Sequence, residues 1–296
     1  MLIKKIVRAK PQQHQLQNID PLLQIIYSNR GITENKQLNY SLQNLLPYKK
    51  LKGIDQAVKL IYKHLKSQQK ILIIGDYDAD GATSTSVAMR ALKNFGAKNL
   101  NYLVPNRFAF GYGLSKELVE KAIEEEQPQL IITVDNGISD IEGVNCAKQA
   151  GIEVLITDHH LTSKELPKAD AIVNPNQVDC NFPSKNLAGV GVIFYIMLAL
   201  QRFLQQHNWF NKQNLSEFNV VKLLDLVAMG TIADVVPLDY NNRILVANGL
   251  ARIRNKQCVV GIQALITIAE KSIENLSSTD IAFNLAPRIN AAGRLK

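Results

Sequence analysis

The chain has 296 residues, and its hydrophobic content of 46% is typical of a soluble globular protein. Its three cysteines form no CxxC pair, which argues against a zinc knuckle or a disulfide framework and favours a reducing cytoplasm. The longest apolar stretch, Val190–Leu200, is too short to span a bilayer, and no signal peptide is recognisable. We therefore expect a cytoplasmic protein without membrane contact.

Positive charge is concentrated near the N-terminus. The net charge is +8, and residues 1–70 contain 13 Lys and Arg against 3 Asp and Glu, whereas the remainder contains 21 against 23. A basic arm beside an acidic core fits a polyanionic substrate. Lysines that serve only solubility would give the same bias, so both interpretations stay open.

The first 50 residues are predicted to form a basic helical segment. Asp20 and Pro21 have the residue types of a helix start, and this helix is expected to reach Tyr27. Residues 55–68 have the apolar spacing of an amphipathic helix that leads into the first strand. We place the first domain boundary between residues 50 and 51.

Strands and helices alternate between residues 51 and 184. Helical patterns occupy 82–95, 115–127 and 140–150. Short apolar runs predict strands at 71–74, 100–104, 129–134, 152–157 and 171–173. This order predicts an α/β fold with a doubly wound, mostly parallel sheet and helices on both faces.

Residues 185–296 are predicted to form a helical subdomain that caps the sheet. Helices are expected at 187–206, 218–231, 242–253, 261–269 and 279–285. Pro287 and Gly293 then predict a specific loop rather than a continuous helix.

Three aspartates follow the first strand at alternate positions, Asp76, Asp78 and Asp80. Carboxylates this close repel one another, so we expect them to bind a hard divalent cation. An EF-hand loop is one alternative, but its twelfth position would fall on Val87, where a glutamate is required. A solvated acidic turn is the other alternative.

Two further strands end in an aspartate, at Asp135 and Asp158, and the carboxyl ends of parallel strands lie along one edge of a sheet. His159 and His160 follow directly, and imidazole binds Mn²⁺, Fe²⁺ or Zn²⁺. Asp234 lies between apolar residues, where a carboxylate needs a partner, although a helix N-cap would also explain it. Two metal ions bridged by a carboxylate would activate water and hold a phosphoryl oxygen.

Arginines can neutralise the charge that develops on a reacting phosphate. Arg107 and Arg288 are the preferred candidates, and Arg294 is left undecided. A solvent-exposed arginine without a function is the alternative for each.

Six segments resemble the DHH phosphoesterase superfamily from about residue 45 to the last residue. In chain order they are DYDADG, VDNGIS, TDHH, NLAGVGVIFY, GTIADVVPL and PRINAAGRL. The resemblance implies a doubly wound sheet that holds two Mn²⁺ or Mg²⁺ ions. The metal ligands that it implies are Asp78, Asp80, Asp135, His159 and Asp234, with Asp76 as a further position.

The resemblance also assigns roles around the metals. It implies that Asp158 orients His159, that His160 faces the scissile phosphate and that Asp135 bridges the two ions. The implied substrate-binding residues are Arg107, Tyr112, Arg288 and Asn290.

The implied reaction is hydrolysis of single-stranded DNA from the 5′ end, in DNA repair and recombination. Single-stranded-DNA-binding protein and a RecQ-type helicase are the further partners that the resemblance implies. Exonucleases of this type continue into a DHHA1 domain and an OB-fold, so we expect a truncated form that lacks half of the DNA clamp.

Three alternatives stay open at this point. The first is a DHH phosphoesterase for short oligonucleotides or nucleoside phosphates. The second is a non-catalytic DNA-binding scaffold, which would be expected to have lost metal ligands. The third is a phosphatase of the haloacid-dehalogenase type, which would not explain Asp158, His159 and His160.

Overall fold

A computed structural model of the chain describes residues 13–105, 111 and 113–293. The strands of its central sheet are β1 (Ile71–Gly75), β2 (Leu100–Leu103), β3 (Leu130–Val134), β4 (Glu153–Thr157) and β5 (Ala171–Val173). All neighbours are parallel, and the order is β2-β1-β3-β4-β5. From β1 the chain first adds β2 on one side and then β3, β4 and β5 on the other, so the strand order reverses between β1 and β3, as in other doubly wound sheets. The predicted fold class is therefore confirmed.

Helices cover both faces of this sheet. Up to residue 150, the described part of the chain contains the helices α1 (Pro21–Ser28), α2 (Ile54–Lys66), α3 (Ala79–Asn94), α4 (Lys116–Glu126) and α5 (Ile141–Gln149), of which α2 to α5 pack against the sheet. Successive side chains of a strand point to opposite faces. Ile71 and Ile73 accordingly belong to the core that contains residues of α2 and α3, whereas Leu72 and Ile74 pack with residues of α4 and α5.

The register of the sheet aligns the ends of three strands. Gly75 pairs with Val134, and Val134 pairs with Thr157. The next residue of each strand is an aspartate, so Asp76, Asp135 and Asp158 emerge side by side at the carboxyl edge. This confirms the expectation that these aspartates share one edge.

The C-terminal part is helical and shares its core with one face of the sheet. Its helices are α6 (Gly189–Gln206), α7 (Trp209–Lys212), α8 (Leu224–Ala233), α9 (Tyr240–Arg254), α10 (Val260–Ile268), α11 (Ser278–Asp280) and α12 (Ala286–Ala292). Helix α3 packs against both α6 and α8. Because one continuous core joins the two parts, the boundaries at 50/51 and 184/185 stay predictions.

The loop predicted around Pro287 and Gly293 is wrong. Residues 286–292 form α12, and a π turn at Ile281–Leu285 precedes it. Pro287 follows Ala286, whose N–H donates to Ile281 O, so the helical chain already runs through the π turn before the proline. The proline therefore does not break the helix.

No helix within residues 13–105, 111 and 113–293 has both the length and the apolar character that crossing a membrane requires.

Candidate metal centre

Backbone N–H groups hold two carboxylates at the start of α3, one from α3 itself and one from the start of α6. Asp78 is the N-cap of α3, and its Oδ1 accepts a hydrogen bond from Gly81 N at 2.9 Å. Asp80 is buried in the first turn, and its carboxylate accepts hydrogen bonds from Gly189 N at 2.6 Å and Val190 N at 3.0 Å. These N–H groups lie at the start of α6, where a helix lacks internal acceptors and carries partial positive charge.

Asp135 follows β3 in a left-handed backbone conformation, with φ of 65°. Asparagine and aspartate adopt this conformation more readily than other non-glycine residues. The side chain of Asn136 supports the turn by donating to Ile74 O at 3.2 Å and to Val134 O at 2.9 Å. On the other side, a Cβ at Gly189 would lie 2.6 Å from Oδ1 of Asp135, so α6 can approach this closely because it has a glycine there.

Asp158 holds the histidine pair. Its Oδ2 accepts a hydrogen bond from Ile138 N at 2.9 Å. Its Oδ1 accepts backbone hydrogen bonds from His159 N at 2.7 Å and His160 N at 3.1 Å, and it lies 2.7 Å from Nδ1 of His160. The predicted contact of Asp158 with His159 is made through the backbone N–H of His159, whereas the imidazole that Asp158 contacts is that of His160. A role of Asp158 in orienting His159 stays a prediction.

The ring of His159 points into the carboxylate cluster. Its Nε2 lies 3.1 Å from Oδ1 of Asp135, 3.5 Å from Oδ2 of Asp234 and 4.0 Å from Oδ2 of Asp80. Asp234 directly follows α8 and is its C-cap, so the N-cap interpretation from the sequence is wrong. Three overlapping groups have ligand atoms within 4.8 Å of one another: Asp135, His159 and His160; Asp80, His159 and Asp234; and Asp76, Asp78 and Asp135.

Burial and mutual repulsion make ionisation of this cluster costly. Burial raises the pKa of Asp80 well above its usual range, and the charges of Asp135 and Asp234 raise it further. Burial raises the pKa of Asp135 in the same way, with the charges of Asp78 and Asp158 adding to it. A nearby cation would allow these carboxylates to ionise together.

The pair of Asp158 and His160 has the opposite electrostatics. Burial alone would raise the pKa of Asp158, but the hydrogen bond and the charge of His160, with backbone N–H groups, hold that pKa below its usual range. The hydrogen bond to Asp158 raises the pKa of His160 despite partial burial. The side chain of His160 is 46% exposed. This imidazole therefore holds its proton more strongly than a free histidine and remains accessible from solvent.

Two buried ligand atoms indicate that the centre fits a cation. Nε2 of His159 and Oδ2 of Asp234 are both buried, and neither makes a hydrogen bond with the described residues. Buried polar atoms without such partners are costly and need an explanation. Carboxylate oxygens with an imidazole nitrogen suit Mn²⁺, and the oxygens alone suit Mg²⁺.

Manganese is expected to stabilise the folded chain. Binding to the native state alone adds about 2.7 kcal/mol at a concentration of 100 Kd, which corresponds to a rise in Tm of about 5 °C. Thermal unfolding in Mn²⁺ and in EDTA measures the shift. A Tm that is equal in both, at every Mn²⁺ concentration up to millimolar, would contradict a metal centre.

Two of the predicted substrate-binding residues lie on α12, which contacts the turn that carries Asp76 and Asp78. Oδ1 of Asn290 accepts a hydrogen bond from Ala79 N, the first residue of α3, at 2.8 Å. Arg288 is exposed. Arg107 and Tyr112 lie outside the described residues. The roles of all four in substrate binding stay predictions.

Asn290→Ala is expected to lower the free energy of unfolding by about 1 kcal/mol. The substitution removes the acceptor for a backbone N–H in the first turn of α3, an effect equivalent to the loss of an N-cap. Asn290→Asp keeps the acceptor oxygen and serves as the matched control. Urea unfolding distinguishes them, and equal midpoints for Asn290→Ala and the wild type would show that the hydrogen bond does not support α3.

Sequence reasoning missed the residues that support the histidines from behind. The side chain of Asn174 donates to the carbonyl of His160 at 2.9 Å, and that of Asn176 donates to the carbonyl of His159 at 2.6 Å. Both asparagines follow β5. A polar residue directly after an apolar strand was the signal that identified Asp158, and the same signal could have found Asn174, whereas Asn176 is the third residue after β5.

A known protein family matches the part of the chain that contains most of these residues. A family model described as "DHH family, N-terminal domain" matches residues 70–231. The chain belongs to the DHH family. The matched region begins just before β1 and includes Asp76, Asp80, Asp135 and the Asp-His-His turn at 158–160. Asp234 lies three residues beyond it.

A curated relative is similar over almost the whole chain. The single-stranded-DNA-specific exonuclease RecJ of Escherichia coli (strain K12) is 50% identical over 277 residues, which are 94% of this chain and 48% of the relative. The RecJ exonuclease of Haemophilus influenzae is also 50% identical, over 99% of this chain and 51% of the relative. The chain thus spans about half the length of the curated relatives it matches.

A solved structure has the same fold. The crystal structure of RecJ from Thermus thermophilus in complex with Mn²⁺ superposes with a TM-score of 0.72 at 34% identity. The match covers 90% of this DHH-family chain and 36% of that chain.

Proposed function

We propose that this DHH-family chain is the catalytic part of a metal-dependent exonuclease for single-stranded DNA. The observation that carries the proposal is the buried cluster in which Nε2 of His159 lies within 4.0 Å of three carboxylates, those of Asp80, Asp135 and Asp234. The similarity to exonucleases specific for single-stranded DNA supports this choice of substrate. The proposal includes hydrolysis from the 5′ end, a cytoplasmic location and a role in DNA repair and recombination. Single-stranded-DNA-binding protein and a RecQ-type helicase are the proposed partners.

The ligand groups favour two divalent ions, Mn²⁺ or Mg²⁺. The two proposed ligand sets are Asp80, His159 and Asp234, and Asp76, Asp78 and Asp135. Asp135 belongs to the second set and lies 3.1 Å from His159 of the first, which supports the proposal that it would serve both. Ions held there would supply Lewis acidity, which activates water and neutralises phosphate charge.

His160 is the proposed proton donor. Its ring is partly exposed, whereas its partner Asp158 is buried, so the imidazole is held in one orientation with one edge open to solvent. The hydrogen bond to Asp158 raises the pKa of His160, so the ring keeps its second proton to a higher pH than a free histidine does. We propose that this imidazole donates a hydrogen bond to the scissile phosphate and gives its proton to the leaving oxygen.

A phosphoesterase for short oligonucleotides is the second candidate. The observation that favours it is the family match, because the model that covers most of the centre describes the DHH family without naming a substrate. A non-catalytic scaffold is less well supported, since all predicted metal positions within the described residues carry an aspartate or a histidine.

The test is release of mononucleotides from a 5′-phosphorylated 20-nucleotide single strand in Mn²⁺, with the blunt duplex and a dinucleotide as parallel substrates. Release from the single strand that stops in EDTA, with the duplex left intact, is the expected result. Hydrolysis of the dinucleotide alone would favour the second candidate. No hydrolysis of any substrate by a chain whose Tm rises in Mn²⁺ would overturn both.

A further inference from the structure

An aromatic side chain projects into solvent from the π turn that leads into α12. Phe283 is 77% exposed, although Ile281 and Leu285 of the same π turn are buried. The buried residues fix the backbone, so the phenyl ring is presented at a defined position. π turns are rare and occur frequently at functional sites.

The ring belongs to a shallow concavity of about 260 Å³, which we call the Phe283 strip. Its lining residues are Phe283, Asn284, Pro287, Arg288 and Ala291. These positions recur at helical spacing, so they share one face of the π turn and α12. Among the described residues that line the strip, one is a cation and none is acidic.

The C-terminal end of α12 contacts the turn that carries Asp76 and Asp78. Asn290 accepts the hydrogen bond from Ala79 N, and a Cβ at Gly293 would lie 2.2 Å from Tyr77 O. At 1.5 Å per residue, Phe283 lies about 10 Å along the helical axis from Asn290. Phe283 therefore lies toward the N-terminal end of this helical segment, and the C-terminal end lies beside the residues that flank Asp76 and Asp78.

We propose that the Phe283 strip binds the substrate strand, with the ring of Phe283 stacked on a nucleobase and Arg288 paired with a phosphate. The inference rests on the proposed function and deepens it by naming how bases are held. An aromatic ring accepts any base, because every base has a π face, and this suits a nuclease that must not read sequence. A protein segment is the other conceivable occupant, but a cation without a neighbouring carboxylate in the strip favours a polyanion.

Three variants of the whole chain test the role of the ring. Phe283→Ala is expected to raise the Kd for 5′-phosphorylated oligothymidylate and the KM for its hydrolysis by roughly tenfold, because it removes one stacking partner. Phe283→Trp keeps an aromatic face and is expected to restore both. Val260→Ala is the matched control, since Val260 is also 77% exposed but lies on α10, outside the strip.

Oligonucleotides with a single abasic position, moved stepwise from the 5′ end, separate stacking from other effects. At one position near the 5′ end, the missing base is expected to weaken binding to the wild type but not to Phe283→Ala. Equal affinities of wild type and Phe283→Ala for every oligonucleotide would overturn the proposal. If hydrolysis persists in that case, the proposed function stands without it. If the wild type in Mn²⁺ neither binds nor hydrolyses the single strand, both fall.

Discussion

Asp135→Asn is expected to lower Mn²⁺-dependent hydrolysis of single-stranded DNA by more than about 100-fold. Residues that only orient a metal ligand contribute about 10- to 100-fold to affinity or activity. Asp135 belongs to two of the three ligand groups and lies 3.1 Å from His159, so its loss should cost more. The measurement is the rate of mononucleotide release at saturating Mn²⁺.

Asparagine is a cleaner replacement than alanine, because the backbone at Asp135 has φ of 65° and asparagine tolerates that conformation. Asp179→Asn is the matched control, since Asp179 is exposed, has φ of 61° and lies outside the ligand groups. Its activity should equal that of the wild type. A rate for Asp135→Asn within a few-fold of the control would remove Asp135 from the metal centre.

The metal-free Asp135→Asn protein should be at least as stable as the wild type at neutral pH. Burial raises the pKa of Asp135 in the folded chain, so the folded state holds the proton more tightly than the unfolded state. The carboxylate therefore destabilises the fold above its unfolded pKa, and the neutral amide removes that cost. Denaturant unfolding in EDTA shows whether the loss of activity is separate from any loss of folding.

Gly230→Ala is expected to have the second largest effect, on stability and on the metal centre together. A Cβ at Gly230 would lie 2.2 Å from Oγ1 of Thr83 and 2.7 Å from Oδ1 of Asp80. Helices α3 and α8 would have to separate, and such overpacking costs about 1–3 kcal/mol. Alanine favours a helix over glycine by up to about 1 kcal/mol, which offsets the cost in part. Because Asp80 must shift, the Mn²⁺-induced rise in Tm should also decrease.

Gly261→Ala is the control for this substitution. Gly261 lies in α10, and a Cβ there would meet no atom within 4 Å. Its stability should be unchanged or higher by up to about 1 kcal/mol. Urea unfolding of both variants measures their stability, and thermal unfolding with and without Mn²⁺ measures their Tm shifts. Equal stability and equal Tm shifts for the two would show that α8 does not need a glycine to reach Asp80.

The sequence predicted the elements of the centre that depend on local pattern. Apolar strands that end in an aspartate predicted the shared edge, because parallel strands place their carboxyl ends together. The contact of Asp158 with His160 rather than with the ring of His159 was not predictable, since it depends on how a tight turn folds back. The backbone N–H groups of Gly189 and Val190 on Asp80 also escaped, because a backbone donor leaves no trace in residue type.

The candidate ligands of the metal centre are far apart in sequence, and this separation has a consequence for folding kinetics. Asp80 lies at the start of α3 and Asp234 follows α8, so the ligands meet only when the sheet and the helical part have docked. Because the ligands come together only after this docking, we expect the ion to bind after the folding transition state. An ion bound there should leave the folding rate almost unchanged and slow the unfolding rate. Metal binding would then increase the kinetic stability of the native state.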